Sequence, residues 1–273
     1  MGLRVNTNVF SLTAQRNLST STDRLQGNYA RLSSGLRIAT AADDAAGLGI
    51  SERMRSQIRS YGANLRNTQD GVSLAQTAEG ALNEVSGNLS RMRELAIQAT
   101  NGTLSTTDRA IIDTEFQALV EEIDRISAET EFNGIALLDG SATGVDIQVG
   151  VDSGDVINIG LTDVSTSALG LTSATNVTSA SNASAALADI DAAIDDINTA
   201  RGDLGAVTNR LMSSYRSISN TRENLSAAES RIRDVDVASE TADLTRNAIM
   251  QQAAVSVLAQ ANAQPQLALS LLG

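Results

Sequence analysis

Two stretches of equal length, residues 54–99 and 187–232, each place fourteen residues at alternating three- and four-residue steps. That spacing admits little except a very long helix with one continuous seam. The first seam runs Met54, Ile58, Tyr61, Leu65, Thr68, Val72, Ala75, Ala78, Leu82, Val85, Leu89, Met92, Ala96 and Ala99, with one short step at 72–75–78 that counts as a stammer. The second runs Leu187, Ile190, Ile194, Ile197, Arg201, Leu204, Thr208, Leu211, Tyr215, Ile218, Arg222, Leu225, Glu229 and Ile232 and never slips. Each helix would be about 69 Å long. A compact ball of this many residues would be only roughly 45–50 Å across. The expected object is an elongated antiparallel helix bundle, coiled-coil-like, with Leu65, Val72, Leu82, Leu89, Leu204, Leu211, Ile218 and Leu225 in its core. Arg201, Arg222 and Glu229 interrupt the second seam and are candidates for buried pairs or contacts between subunits.

The composition fits narrow seams better than a thick core. Only three Tyr and three Phe occur among 273 residues, with no Cys, His or Trp and a single proline, Pro265. Without Cys and His there is no thiolate nucleophile, no imidazole base and almost no transition-metal constellation, so no catalysis, cofactor or metal is expected. All twenty basic residues are arginine. Their charge is uneven: residues 71–200 carry four Arg against twenty acids, whereas 1–70 carry nine against five and 201–273 seven against seven. An acidic middle repels nucleic acid and anionic lipid, so neither a nucleic-acid partner nor membrane insertion is expected. The start lacks the apolar core of a secretory signal, and no window has the roughly 18–20 apolar residues of a membrane span.

Outside the long seams the periodicity changes. Residues 1–35 carry one weak seven-residue stripe, Ala14, Leu18, Leu25 and Leu32, with Tyr29 beside it, too little to hold a helix alone. Asp43 and Asp44 read as caps for the first long helix. Asn101-Gly102 ends that helix. Ser105-Thr-Thr-Asp108 then resembles a capping box for another, with Ile112, Phe116, Leu119, Ile123 and Ile126 as its buried face. After the Asn133-Gly134 turn, Val145, Ile147, Val149 and Val151 alternate, Asp152–Asp155 turns, and Ile157, Ile159 and Leu161 alternate again, a β-hairpin. Residues 172–186 have the Ser/Thr/Ala/Asn composition of an exposed linker. Ala238–Ala263 is apolar on more than one face and is expected to end at Pro265. The domains expected are 1–42 (N-terminal segment), 43–172 (long helix, second helix and hairpin), 173–186 (linker), 187–236 (returning helix) and 237–273 (C-terminal segment).

Several motifs name a family. Val5-Asn6-Thr7-Asn8 with Ser11-Leu12 and Gln15, Leu32-Ser-Ser-Gly-Leu-Arg-Ile38, and Ala41-Ala-Asp-Asp-Ala-Ala-Gly-Leu48 resemble the N-terminal signature of bacterial flagellin. Arg93-Glu-Leu-Ala96, Phe132-Asn-Gly134, Val257-Leu-Ala-Gln-Ala-Asn262, Pro265-Gln266 and Leu269-Ser-Leu-Leu272 match as well, with Leu36 and Ala254 as small departures. The resemblance implies a short flagellin with little or no outer domain, polymerising with copies of itself into the extracellular filament for swimming motility. It implies export in an unfolded state without a cleaved signal, and partners in the export apparatus, a secretion chaperone, the filament cap and the hook–filament junction proteins. The terminal helices would form a coaxial pair on assembly, through Leu18, Leu25, Leu32, Ile249, Val257, Leu258, Leu269, Leu271 and Leu272. Arg91, Leu95 and Glu115 align with positions at which a host Toll-like receptor contacts such flagellins. A hook–filament junction protein is the alternative. A flagellin-borne His-Glu-x-x-His peptidase is excluded by the absence of histidine.

Overall fold

The computed structural model describes residues 7–172 and 175–270, with side chains as far as Gln264. In chain order its elements are α1 (Val9–Ser34), α2 (Ala45–Thr100), α3 (Thr106–Glu129), β1 (Glu131–Phe132), β2 (Ile135–Ala136), β3 (Gly144–Gln148), β4 (Val156–Gly160), α4 (Ala180–Arg233) and α5 (Val237–Ser270). They fall into two compact units, one of residues 59–223 and one of residues 1–58 with 224–273. The divisions lie inside α2 and α4.

In the unit 59–223, the α2 seam is buried from Leu65 to Ala99, and Val85, Leu89, Met92, Ala96 and Ala99 are wholly enclosed. Arg93, near the C-terminal end of α2, donates from Nε to Asp191 Oδ1 at 2.7 Å, near the start of α4. On α4 the most deeply buried line, Ala186, Ile190, Ala193, Ile197, Ala200 and Leu204, lies partly one residue ahead of the expected seam. Leu187 and Ile194 flank it, half-buried. The small alanine side chains are the buried ones, which a seam read from large apolar residues misses. Arg201 is half-buried with its Nε unpartnered, and Arg222 is exposed.

α3 folds back along α2. Its start is a capping box: the Ser105 hydroxyl accepts from Asp108 N–H, and the Asp108 carboxylate accepts from Ser105 N–H. The Ser105 hydroxyl also donates to the Asp108 carboxylate at 2.7 Å, and that bond, followed by the one from Ser105 N–H, holds the carboxyl below its ordinary pKa. Arg109 bonds the end of α2, donating to Ala99 O at 2.8 Å and Asn101 O at 2.9 Å. Ile112, Phe116, Val120 and Ile123 form the buried face, while Leu119 and Ile126 pack at its edge.

Asn133 (φ 51°) and Gly134 (φ 77°) supply the two left-handed residues of the tight turn joining β1 to β2. β3 and β4 pair antiparallel with Val145 opposite Ile159 and Ile147 opposite Ile157. Ile159 and Ile157 enter the core. The pairing ends at Gln148 and Val156, so Val149 and Val151 lie in the connecting turn. The hairpin seats on α2 where Gly71 leaves room: a Cβ there would lie 2.9 Å from Ile147 Cγ1, whereas Gly80 and Gly87 face open space. Substitution should therefore change sign along one helix. Gly80→Ala raises stability by about 0.5–1 kcal/mol through helix propensity, and Gly71→Val lowers it by roughly 1–3 kcal/mol by overpacking. Urea midpoints of the full chain check both.

From residue 175 on, the expected linker is only partly exposed. Val177, Ala183 and Ala186 are buried, and α4 already begins at Ala180. Three α3 side chains grip the segment before it. Asp124 accepts from Thr166 N and Oγ1, each at 2.8 Å, Gln117 Nε2 donates to Thr175 O at 3.0 Å, and Asp113 accepts from Val177 N at 2.8 Å.

Candidate assembly interface

The unit formed by residues 1–58 and 224–273 is built around its connectors. Asp44 caps α2, accepting from Gly47 N–H at 2.9 Å. Asp43 closes the preceding turn by accepting from Thr40 N and Oγ1 and from Ala39 N, and the Thr40 bonds hold its carboxyl below its ordinary pKa. A Cβ on Gly47 would sit 2.8 Å from Ile38 Cδ1, so glycine lets α2 start against the buried Ile38. The connector after α1 is laced to the one before α5. Arg37 N donates to Arg233 O at 2.6 Å, Val235 N to Gly35 O at 3.0 Å, and the Arg37 guanidinium caps Ile232 O at 2.7 Å. Arg233, itself buried, pairs with Glu52 at 2.5 Å. In this unit Leu225 and Glu229 are half-buried.

α1 and α5 pack as an antiparallel pair whose inner face is small and polar: Ser11, Ala14 and Asn28 from one helix, Glu240 and Ala261 from the other. Asn28 Nδ2 donates to Glu240 Oε1 at 2.5 Å, Asn247 Nδ2 to Asn28 Oδ1 at 2.7 Å, and Gln251 Nε2 to Thr22 Oγ1 at 3.3 Å. At the other end Asn8 Nδ2 donates to Ala261 O at 2.8 Å and Ser11 Oγ to Asn262 Oδ1 at 2.7 Å. α5 continues to Ser270, through Pro265, rather than ending there.

Large apolar side chains are left outside. Leu18, Leu25, Leu32 and Leu258 are half-buried. Phe10 (60%), Tyr29, Ile249 (61%), Met250, Val255 and Val257 (56%) are exposed. Leu269, Leu271 and Leu272 lie outside the described side chains. No helix among the described residues is long and apolar enough to cross a membrane.

In the other unit, Arg91 lies on the surface, donating to Glu115 Oε1 from Nε at 2.9 Å and pairing with Glu94 at 2.9 Å. These bonds, Glu115 first, push its guanidinium pKa up further. Leu95, one helical turn on, is 2% exposed and belongs to the core. α2 is packed on more than one side, and position 95 falls on its wide buried face.

Large apolar side chains left exposed on a helix pair with a mostly polar, small-residue contact define a class, that of helical subunits completed by association with further copies or partners. The comparisons identify the member of that class. The N-terminal helical region of bacterial flagellin matches residues 5–143 and the C-terminal helical region matches residues 187–272. The chain is 48% identical to a flagellin of Halalkalibacterium halodurans over 269 residues, 98% of this chain and 99% of that one. The crystal structure of Bacillus cereus flagellin superposes with a TM-score of 0.52 at 38% identity, over 60% of this chain and 94% of that one. A putative flagellar hook-associated protein from Vibrio parahaemolyticus shares the fold, with a TM-score of 0.56 at 19% identity, over 71% of this chain and 98% of that one. The chain belongs to the bacterial flagellin family. It is a structural subunit of the extracellular flagellar filament, in a short form with only residues 161–179 between β4 and α4. The hook–filament junction alternative gains no support beyond the shared fold.

Sequence reasoning missed three pieces of this arrangement. Nothing in the local pattern marks Asn8 as the partner of α5, Arg37 as the cap of α4, or Asp113 and Asp124 as clamps on the connector, because each acts across a long stretch of chain.

Proposed function

We propose that polymerisation runs through the outer apolar face of the α1/α5 pair, with Leu18, Leu25, Leu32, Ile249, Val257, Leu258 and the terminal Leu269, Leu271 and Leu272 packing against neighbouring subunits. The observation that carries this reading is the exposure of Phe10, Ile249, Met250, Val255 and Val257 together on one compact unit. Burying such side chains yields about 1.5–3 kcal/mol each, and a single chain cannot collect that gain. The termini are therefore only marginally stable in the free subunit and gain their order in the filament. The unit 59–223 keeps its own core and gives each subunit a stable body, with no catalytic step or cofactor in the role.

Further partners follow from the same reading. The uncovered terminal helices need a chaperone before export, and an export apparatus that accepts the chain unfolded. A cap and junction proteins would engage the same faces at the filament's two ends. The paired Arg91 and Glu115, with Leu95 beneath them, form the surface offered to a host flagellin receptor. The test is polymerisation of the purified full chain on filament seeds, read by electron microscopy, with hydrogen exchange before and after. The expected result is filaments, with residues 9–34 and 237–264 weakly protected in the subunit and strongly protected in the polymer. Failure to polymerise on seeds, or strong protection of those residues in the subunit, would overturn it.

A further inference from the structure

Every interior carbonyl of a helix normally accepts the N–H four residues later. Proline has no N–H, so α5, which runs on through Pro265, leaves the carbonyl of Ala261 without its helical donor. That carbonyl is the acceptor of Asn8 Nδ2 at 2.8 Å, and Ala261 itself is buried. Pro265 is the chain's single proline, so the orphaned acceptor it creates occurs once along α5.

The same Asn8 side chain works in the other direction. Its Oδ1 accepts from Ser11 N–H at 3.1 Å as the N-cap of α1. A carbonyl can only accept and a backbone N–H can only donate, so the two partners fix the orientation of the amide. One side chain thus closes the open start of α1 and the proline gap in α5. Aspartate, serine or threonine would cap α1 but could not also supply this donor at this reach.

We propose that Asn8 is the residue that sets the axial register of α1 against α5, by matching its amide to the one carbonyl that Pro265 orphans. The apolar contacts of the pair cannot do this, because small residues such as Ala14 tolerate sliding by a turn. A slip would carry Asn8 onto a carbonyl already bonded within the helix and leave Ala261 O buried without a donor. Asn28 with Glu240 and Asn247 supports the register from the far end. A polar residue inside a helix interface commonly selects alignment in this way. Because register decides which outward apolar residues of α1 lie beside which of α5, Asn8 is a positioning residue for assembly, and the inference rests on the polymerisation reading.

The test is a double-mutant cycle in the full chain between Asn8→Ser, which keeps the α1 cap and removes the long-reach donor, and Pro265→Ala, which restores an N–H to Ala261 O. With Pro265 present, Asn8→Ser is expected to raise the critical concentration for seeded polymerisation about tenfold. In the Pro265→Ala background the same change should cost no more than about twofold. Asn8→Ala should be worse than Asn8→Ser in both backgrounds, since it also removes the cap. Hydrogen exchange at residues 9–34 and 237–264 of the four unpolymerised proteins reads the residual stability of the marginal α1/α5 pair itself, gives a second reading of the coupling and does not depend on filament growth. A wild-type chain that fails to polymerise would count against the assembly reading, while the exchange cycle would still decide the register. Equal effects of Asn8→Ser in both backgrounds, or no effect in either, would overturn the proposal.

Discussion

Replacing Phe116 by alanine lowers the stability of the chain by about 3–5 kcal/mol, the range for removing a fully enclosed aromatic ring. Phe116 is wholly buried and is the bulkiest fully enclosed side chain of the core. In a chain with only three Phe and no Trp, it fills a space that Leu, Ile and Ala close elsewhere. It sits on the buried face of α3 between Ile112 and Val120, in the same cluster as the α2 and α4 seams. The cavity cannot collapse easily, since α2 is tied to α3 through Arg109 and to α4 through Arg93. Phe116→Leu, which keeps most of the volume, should cost roughly 1–1.5 kcal/mol. Thermal melting of the full chain should show the alanine variant about 10 °C lower, on the scale of a unit of this size. A shift of only a degree or two would mean that the ring is not part of a close-packed core.

That core was largely legible in the sequence because its signals are local and periodic. Alternating three- and four-residue steps located both long helices, a period of two located Ile157 and Ile159, and Ser105 with Asp108 marked a helix start that the structure forms as a capping box. What escaped depends on partners far along the chain. Residues 172–186 look like a linker because Ser, Thr and Ala carry little apolar signal, but the backbone at Thr175 and Val177 is held by Gln117 and Asp113 of α3. Pro265 looks like a helix end because local rules make it one, and the donor that satisfies the orphaned carbonyl comes from Asn8. On α4, small Ala186, Ala193 and Ala200 are buried more deeply than Leu187 and Ile194, which no hydrophobic ranking would place first. At the interface the apolar content of the termini was legible, but which residues point outward was not: Leu258 is half-buried while Val257 beside it is exposed. That choice follows from which side of α5 turns toward α1, which only the folded pair defines.

The outward choice makes the functional prediction with the largest effect. Ile249→Asp and Val257→Asp each place a carboxylate at a position already exposed in the single chain, so the subunit should keep its melting behaviour within about 0.5 kcal/mol, as for ordinary surface substitutions. In a filament sealed by those faces the carboxylate would be buried without a partner, at several kcal/mol. That corresponds to a rise in critical concentration of at least about a hundredfold. The matched substitutions Ile249→Leu and Val257→Ile keep the apolar area and should polymerise within about threefold of the unmodified chain. Sedimentation of seeded reactions over a range of subunit concentrations measures all four. The aspartate variants would sink the assignment of this face if they polymerised like the unmodified chain, and a loss shared by the Leu and Ile variants would point instead to a shape requirement at those positions. The two aspartates are eight residues apart on α5, just over two helical turns, so both test one stripe of the helix. If only one of them blocks growth, the interface covers only the turns around that residue, and the remaining exposed apolar residues of α1 and α5 fall outside it.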